Sequence, residues 1–559
     1  MDIKIDKEFM KYLLLFLFSA VVYSTYGQQA QIPLNQDYQN RLERYLNDPD
    51  ANFHTSVKPY LESEVLKAIP EAEWANMGIA EYNETFSPYR DSIGKVLLNK
   101  GKEGFVFGLK RGDLLQFQKD KFYLGINPIV DFSAGYDLSA KDMLIGSQFG
   151  VQMNSHLGKK VSVGFAYRGL KEKTYGYIND LVTDKGVMPG FGKVTWDGTS
   201  IKANDYNGYI SFTPNKYLNL QAGYGKNFWG DGYRSLMISD YAPSYPYFSF
   251  NANFWRIKYS YLFNVMKDGY SASASNDFDF KTKYGVFHML SVNVAKWFEF
   301  SFFEGVIWEK GDSSGTRGVD VNYLNPVVFF RPVEFAIGSP DNIALGLNMK
   351  FKLNKTTNIY TQFLLDDLDI KFARLGKGFY RNKFAIQAGL KSYDLFKVPM
   401  LDVQLEMNAV RPYVYAHKVP QQNYTHMNMP LAHPLGANFV EMLAIFRYEK
   451  NQIYGSAKLM YAVQGRDLPG EHKGSNIYKS DYEIAPNLDF AFDNSFLQGV
   501  KTKIFNAEVR AGYRLNPRTN LSAELILNYR KLSSSIENQS NAFVGIGLRS
   551  NLFSRYKDF

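Results

Sequence analysis

No cysteine occurs among the 559 residues. That absence excludes disulfides and thiolate metal sites, and with them the lipidated cysteine on which a lipoprotein anchor depends. Histidine is scarce, with 7 copies, and tryptophan scarcer still, with 6. Neither sign of charge dominates. The 64 basic residues stand against 55 acidic ones and form no Lys/Arg cluster, so the net charge of +9 does not read as a nucleic-acid surface. It is expected instead to favour acidic glycans or lipopolysaccharide phosphates. Beyond residue 22 no apolar run is long enough to span a membrane as a helix.

What the chain has in abundance is aromatic side chains, 16% of it, with 40 Tyr and 44 Phe. Aromatic girdles at two membrane interfaces call for such a content. A mean hydropathy of only −0.30 fits a barrel whose strands are half wet. The last stretch, residues 503–559, carries the clearest pattern. Phe505, Ala507, Val509, Ala511 and Tyr513 interleave with Asn506, Glu508, Arg510, Gly512 and Arg514. After residues 516–520 the beat returns, with Leu521, Ala523, Leu525, Leu527 and Tyr529 against Ser522, Glu524, Ile526, Asn528 and Arg530. A period of two sends each set to its own face of a strand. A third run, Val544, Ile546, Leu548 and Leu552, leads to Phe559, an aromatic end of the kind common in bacterial outer-membrane barrels. A soluble β-sandwich alternates in the same way, so these strands do not decide between the two.

The N-terminus does. Residues 12–22 form an apolar core behind Lys11 and are followed by a small-residue stretch ending at Gly27, the layout of a cleavable export signal. Residues 1–9 are mixed in charge, and Met10-Lys11 makes a cleaner start. An exported, cysteine-free chain with alternating strands is expected in the outer membrane. The expected organisation is a signal peptide over 1–27, a small, mostly helical periplasmic or plug segment over 28–120, and a transmembrane antiparallel β-barrel over 121–559. The helical spacing lies in Leu42, Tyr45 and Leu46, and in Tyr60, Leu61, Val65, Leu66 and Ile69.

Turn spacing gives the strand number. Tight breaks occur at 157–159, 214–215, 251–253, 295–296, 354–357, 395–397, 450–451 and 516–517, each between alternating runs. Longer polar stretches separate them, roughly 171–206, 226–246, 265–285, 310–342, 411–438 and 465–502. Eight breaks make sixteen strands. A first strand near 129–136 and a last near 543–553 bring the count to about 18, within a range of 16–18. This all-β fold requires those two strands to be neighbours.

Three long segments hold the candidate site residues. In 223–247, Gly223, Gly225, Gly230 and Gly232 lack the Lys-Ser/Thr pair and the following helix of a phosphate loop. They suit a loop folded over or into the lumen, with Arg234 meeting carboxylates and Asp240 bracing the same loop. In 323–346, Arg331 and Glu334 form a structural pair or a glycan contact, and Asn342 sits at the mouth of the next strand. In 411–439, Tyr413, Tyr415, His417, His433 and Asn438 lie in a proline-bearing loop. Its rings and amides suit stacking on sugars and bonding to hydroxyls, or equally a packed loop. The histidine spacings match no metal motif, so neither metal nor cofactor is expected. No Gly-x-Ser-x-Gly or His-Glu-x-x-His occurs, and Glu304 is assigned to the polar lining, so no enzyme is expected.

These segments, together with Ala432-His433-Pro434-Leu435-Gly436-Ala437-Asn438-Phe439, resemble the Wzi-type capsule-assembly proteins, and most closely Bacteroidota members labelled gliding-motility protein RemB. The resemblance implies an outer-membrane barrel of about eighteen strands with a periplasmic helical portion, and a lectin-like role in organising surface polysaccharide, linked to gliding. It transfers no ligand residues. Expected partners are surface polysaccharide, outer-membrane lipid and lipopolysaccharide, and the barrel-assembly machinery, with no nucleic acid. The competing function is a passive porin or substrate channel.

Overall fold

The computed structural model describes residues 30–69, 104–107, 113–119, 122–158, 160–269, 280–312, 315–316, 318–325, 341–369, 371, 376–484, 491–516, 520–550, 553 and 555–559. The expected signal peptide lies outside them, as do Arg331 and Glu334.

The alternating segments form one closed, antiparallel barrel of 18 strands. In chain order these are β1 Phe122–Asp137, β2 Asp142–Leu157, β3 Val161–Glu172, β4 Ser200–Asn215, β5 Leu218–Gly225 and β6 Tyr245–Phe254. Next come β7 Ile257–Asp268, β8 Lys281–Ala295, β9 Phe298–Glu309, β10 Asn342–Lys352, β11 Thr357–Asp367 and β12 Lys383–Ser392. The last six are β13 Leu401–Val410, β14 Phe439–Lys450, β15 Ile453–Arg466, β16 Val500–Asn516, β17 Leu521–Ser533 and β18 Asn538–Arg549. Each strand pairs with its sequence neighbours. The barrel closes where Val544, Ile546 and Leu548 of β18 face Tyr136, Ala134 and Phe132 of β1.

The period of two sorts the wall as the sequence analysis requires. On β16 and β17, Val509, Leu525, Leu527 and Tyr529 are exposed outward, while Asn506, Glu524, Asn528 and Arg530 are buried in the lumen. Outward Tyr217, Phe254, Trp255, Trp297 and Tyr448 ring the short-turn end, where the Trp297, Phe298 and Phe351 rings stack, with Phe298 and Phe351 at 4.7 Å. This is the interfacial belt of a membrane barrel. Leu527 sits at the middle of β17. Its replacement by Arg is expected to cost about 2–4 kcal/mol, read as a lowered unfolding midpoint in urea from lipid vesicles. A silent Leu527→Arg would mean that this face does not meet lipid.

Several details differ from the sequence reading. The third tight turn falls at Trp255 and Arg256, not at 251–253, because β6 runs on to Phe254. Asn251 and Asn253 are strand residues that bond sideways, the first accepting from Ser260 Oγ at 2.7 Å and the second donating to Glu64 at 2.5 Å. A loop between β11 and β12 was not anticipated. Within 28–120, Leu115–Lys119 is a strand paired with the start of β1. The wall ends at Arg549 rather than near 553, and the tail turns inward. Phe559 is buried, its ring edge-on to Tyr177 and Tyr241, and its carbonyl accepts from Arg530. The terminal aromatic is therefore lumen packing and not the rim of the last strand.

Inside the short-turn end sit two helices, α1 Gln36–Leu46 and α2 Glu62–Ala68. Asn35 caps α1 by accepting from the Tyr38 amide, which satisfies one of the helix's orphan donors. Ile32, Tyr38, Leu42, Leu46, Phe53, Tyr60, Val65 and Ile69 form a small core of their own. The opposite face of α1 grips the wall, with Arg44 on Asp394 and Asp402 and Arg41 on Glu449.

Candidate functional site

The lumen is filled in three storeys. The helical segment occupies the short-turn end. Above it the β5–β6 connection leaves the wall at Gly225 and runs through the lumen, with every residue from 227 to 244 buried. Val57–Lys58 pairs with Phe228–Trp229 as a two-stranded ribbon, and Lys58 Nζ donates to Gly230 O at 2.7 Å while facing Glu43 at 3.0 Å. Burial opposes the charge on Glu43, but Lys391 and Lys58 outweigh it and hold the carboxyl well below its usual range. Glycine is required in this loop. Gly230 has φ +145, and a Cβ on Gly232 would lie 2.6 Å from a Glu406 oxygen.

Arg234 is the hub of the middle storey. Its Nη2 lies 3.3 Å from Glu441 and 2.6 Å from the Asp558 carbonyl. His433 Nε2 shares Glu441 at 2.7 Å. Asp240 accepts from Tyr556. Glu304, assigned from sequence to the lumen lining, is buried but faces the other way. It lies on the outer face of β9, opposite His288 and in step with Val306 and Trp308. The alternate residues Glu299, Ser301 and Phe303 are the ones that meet Ser56 and Trp229 inside. His433 and Asn438, expected at a sugar site, are instead fully buried. Asn438 ties Gly465 O, Gln498 O and Leu497 N together, which anchors the 467–499 loop to β14.

The third storey is the long-loop mouth, and here a cleft of about 250 Å³ opens to the outside. Asp341 and Asn342 come from the head of β10, and Asp366 and Asp367 from the end of β11. Tyr380 and Arg381 precede β12, which contributes Lys383. His417 and Lys418 come from the 411–438 loop, and Asp481 and Tyr482 from the 467–499 loop. Most of the charges are tied within the wall of the cleft. Lys383 bonds Asp481 and donates to Ala416 O at 2.9 Å. Arg381 holds Asp367 at 2.7 Å, Tyr323 donates to Asp341 at 2.6 Å, and Asn342 donates to Gln422 O at 2.8 Å. Lys418 and Tyr482 project instead, with Tyr482 64% exposed. Burial, reinforced by Lys383 and Lys418, pushes His417 down to about 4, so its ring is neutral near pH 7. Its Nδ1 accepts from the Val419 amide, which sets the tautomer with the proton on Nε2.

Of the residues named from sequence, His417 and Asn342 line this cleft. Tyr413 lies beneath it, edge-on to Tyr380 at 6.3 Å and donating to His472 O. Tyr415 gives its amide to Asp366 and its hydroxyl to Leu236 O, linking the cleft to the lumen loop. Lys383, Lys418, Asp481 and Tyr482 were not foreseen. They lie on segments up to a hundred residues apart, and no motif spacing marks them.

The profile of the family described as capsule assembly protein Wzi matches residues 143–529. The chain belongs to that family. The Wzi match covers the lumen loop and all five segments that build the cleft. Among solved structures, Escherichia coli Wzi superposes with a TM-score of 0.55 at 14% identity, covering 93% of this chain and 99% of that one. That protein is described as an outer-membrane protein involved in group 1 capsule assembly and as a carbohydrate-binding β-barrel. Pseudomonas aeruginosa OpdK gives 0.41 at 8% identity, over 76% of this chain and 98% of its own. No curated protein matches the chain in sequence.

Proposed function

We propose that the protein holds surface polysaccharide at the outer mouth of an outer-membrane barrel, as a capsule or exopolysaccharide attachment factor. The observation that carries this reading is the cleft. An exposed aromatic ring at Tyr482 stands beside a projecting cation at Lys418, over a floor of carboxylates, amides and guanidinium already locked in place. A ring offers stacking to a sugar face, and a pre-organised polar wall bonds hydroxyls without a large ordering cost. Membership of the Wzi family and the carbohydrate binding described for the E. coli protein support the same conclusion. Tyr413 and Tyr415 act in this reading as supports beneath the sugar, and His417 and Asn342 as contacts. The role is binding and not catalysis.

Residues 1–27 are proposed as a cleaved export signal, 28–120 as the periplasm-side segment and 121–559 as the barrel. A part in gliding is proposed from the RemB-like resemblance, with the attached polysaccharide as the adhesive layer. Purified capsular or exopolysaccharide from the native cell surface, titrated against the full chain, tests the central claim. The variant Tyr482→Ala with Lys418→Ala is expected to bind at least tenfold more weakly and to keep the same heat-modified gel mobility. Equal binding by the variant and the native chain would remove the cleft from the proposal.

A further inference from the structure

On the lipid-facing side of β11 to β16 the wall is dished. A groove of about 620 Å³ follows two neighbouring rows of outward residues. One row runs Ala388, Met407, Met442, Tyr461 and Phe505, each the ladder partner of the next. The depression exists because Ala388 and, in the adjacent row, Ala444 stand among methionines and leucines. Four strand spacings separate the ends of the row, roughly 19 Å. Because strands tilt in a barrel, such a row climbs obliquely. It starts midway along β12 and ends close to the long-loop rim, where Phe505 pairs with Lys531, only two residues before the end of β17.

At that upper end the apolar surface gives way to a basic one. Lys501, Lys503 and Lys531 all point outward, since their strand neighbours Thr502, Ile504, Arg530 and Leu532 are buried in the lumen. Beneath them Phe505 and Tyr529 pack at 6.2 Å, at the height of an interfacial aromatic belt. On another part of the rim, Lys171 and Lys202 are neutralised by Asp197 and Lys173 by Asp142. Among the described residues, these three lysines make no ion pair. Three uncompensated cations above an acyl-width groove, on the long-loop side, face the phosphates of the outer leaflet.

We propose that this face is a binding site for one phosphorylated, multiply acylated glycolipid, the lipid portion of lipopolysaccharide. Lys501, Lys503 and Lys531 take phosphate, and the groove from Phe505 down to Ala388 takes an acyl chain. Lysine serves phosphate as a point charge, and the row of cations suits a lipid carrying its charge on a broad sugar headgroup rather than on a single phosphodiester. The site is independent of the polysaccharide cleft, which opens on the mouth and not on the wall.

Native mass spectrometry of the full chain in detergent tests it with three probes: phosphorylated lipid A, the same lipid dephosphorylated, and phosphatidylglycerol. The native chain is expected to bind phosphorylated lipid A at least tenfold more tightly than either other probe. The variant Lys501→Gln, Lys503→Gln, Lys531→Gln is expected to lose that advantage. Ala444→Phe, which fills the groove and leaves the lysines, is expected to weaken binding about fivefold. Equal affinity of the native chain for the three lipids overturns the site whether or not the variants fold. Undiminished lipid A binding by the triple variant overturns the phosphate assignment, and undiminished binding by Ala444→Phe overturns the groove.

Discussion

Replacing Arg234 by Ala is expected to destabilise the lumen by about 3–5 kcal/mol, the range found when one partner of a buried ion pair is removed. The guanidinium is 2% exposed and stands between two buried carboxylates, Glu441 and Asp558, while the Tyr233 and Tyr556 rings cover its faces. Burial alone would lower its affinity for the proton, but Asp558 and Glu441 outweigh burial, and the group is held charged above its ordinary value. Alanine would leave both carboxylates dry and close to one another. Glu406 would keep its bonds to the Tyr233 and Arg234 amides, so the backbone anchor of the loop survives and the loss is electrostatic. Hydrogen exchange should show the 226–244 segment opening several hundred-fold more often. Adding Glu441→Gln should return part of the loss, because these sites share a network and their effects do not add. Additive losses in the double variant would show that the pair does not interact.

The second large effect concerns conduction. An unfilled barrel of this strand number encloses a water-filled channel. Here the native chain in a planar bilayer is expected to show no resolved ion steps, because three layers of ordered side chains cross the lumen. Removing residues 30–69 alone should leave it closed, since the loop carrying Arg234 remains. Removing that segment and also replacing 227–244 by a four-residue Gly-Ser link is expected to produce porin-like steps. Steady conductance by the native chain would restore the channel reading that composition and strand count leave open.

The differences between the sequence reading and the structure share one cause. Alternation over 505–513 and 521–529 was legible because each strand position meets only one of two solvents, lipid or lumen, and local sequence records which. The closing pair β18–β1 followed from parity. Tyr413, Tyr415, His433 and Asn438 were legible as polar and aromatic loop residues, but their burial was not, since a tyrosine that stacks on sugar and one that bonds a carbonyl have the same composition signature. Asn251 and Asn253 read as turn formers and proved to be lateral donors and acceptors in a strand. Phe559 read as the aromatic end of a barrel chain, and its place in the lumen packing was not legible.

By itself, then, the sequence determined the barrel, a strand number of about eighteen and the helical character of the N-terminal segment, because all of these rest on local periodicity and on charge and aromatic content. Polysaccharide as the ligand came from the family resemblance and not from composition, which left a channel equally open. Only the tertiary structure decided how the 226–244 loop is held in the lumen and which five segments meet at the mouth. It also decided that Lys418 and Tyr482 are the groups left facing outward. Those outcomes depend on contacts between residues hundreds of positions apart, such as Gln36 with Tyr556 or Arg44 with Asp402. Barrel closure brings such residues together, and nothing in their local sequence requires it.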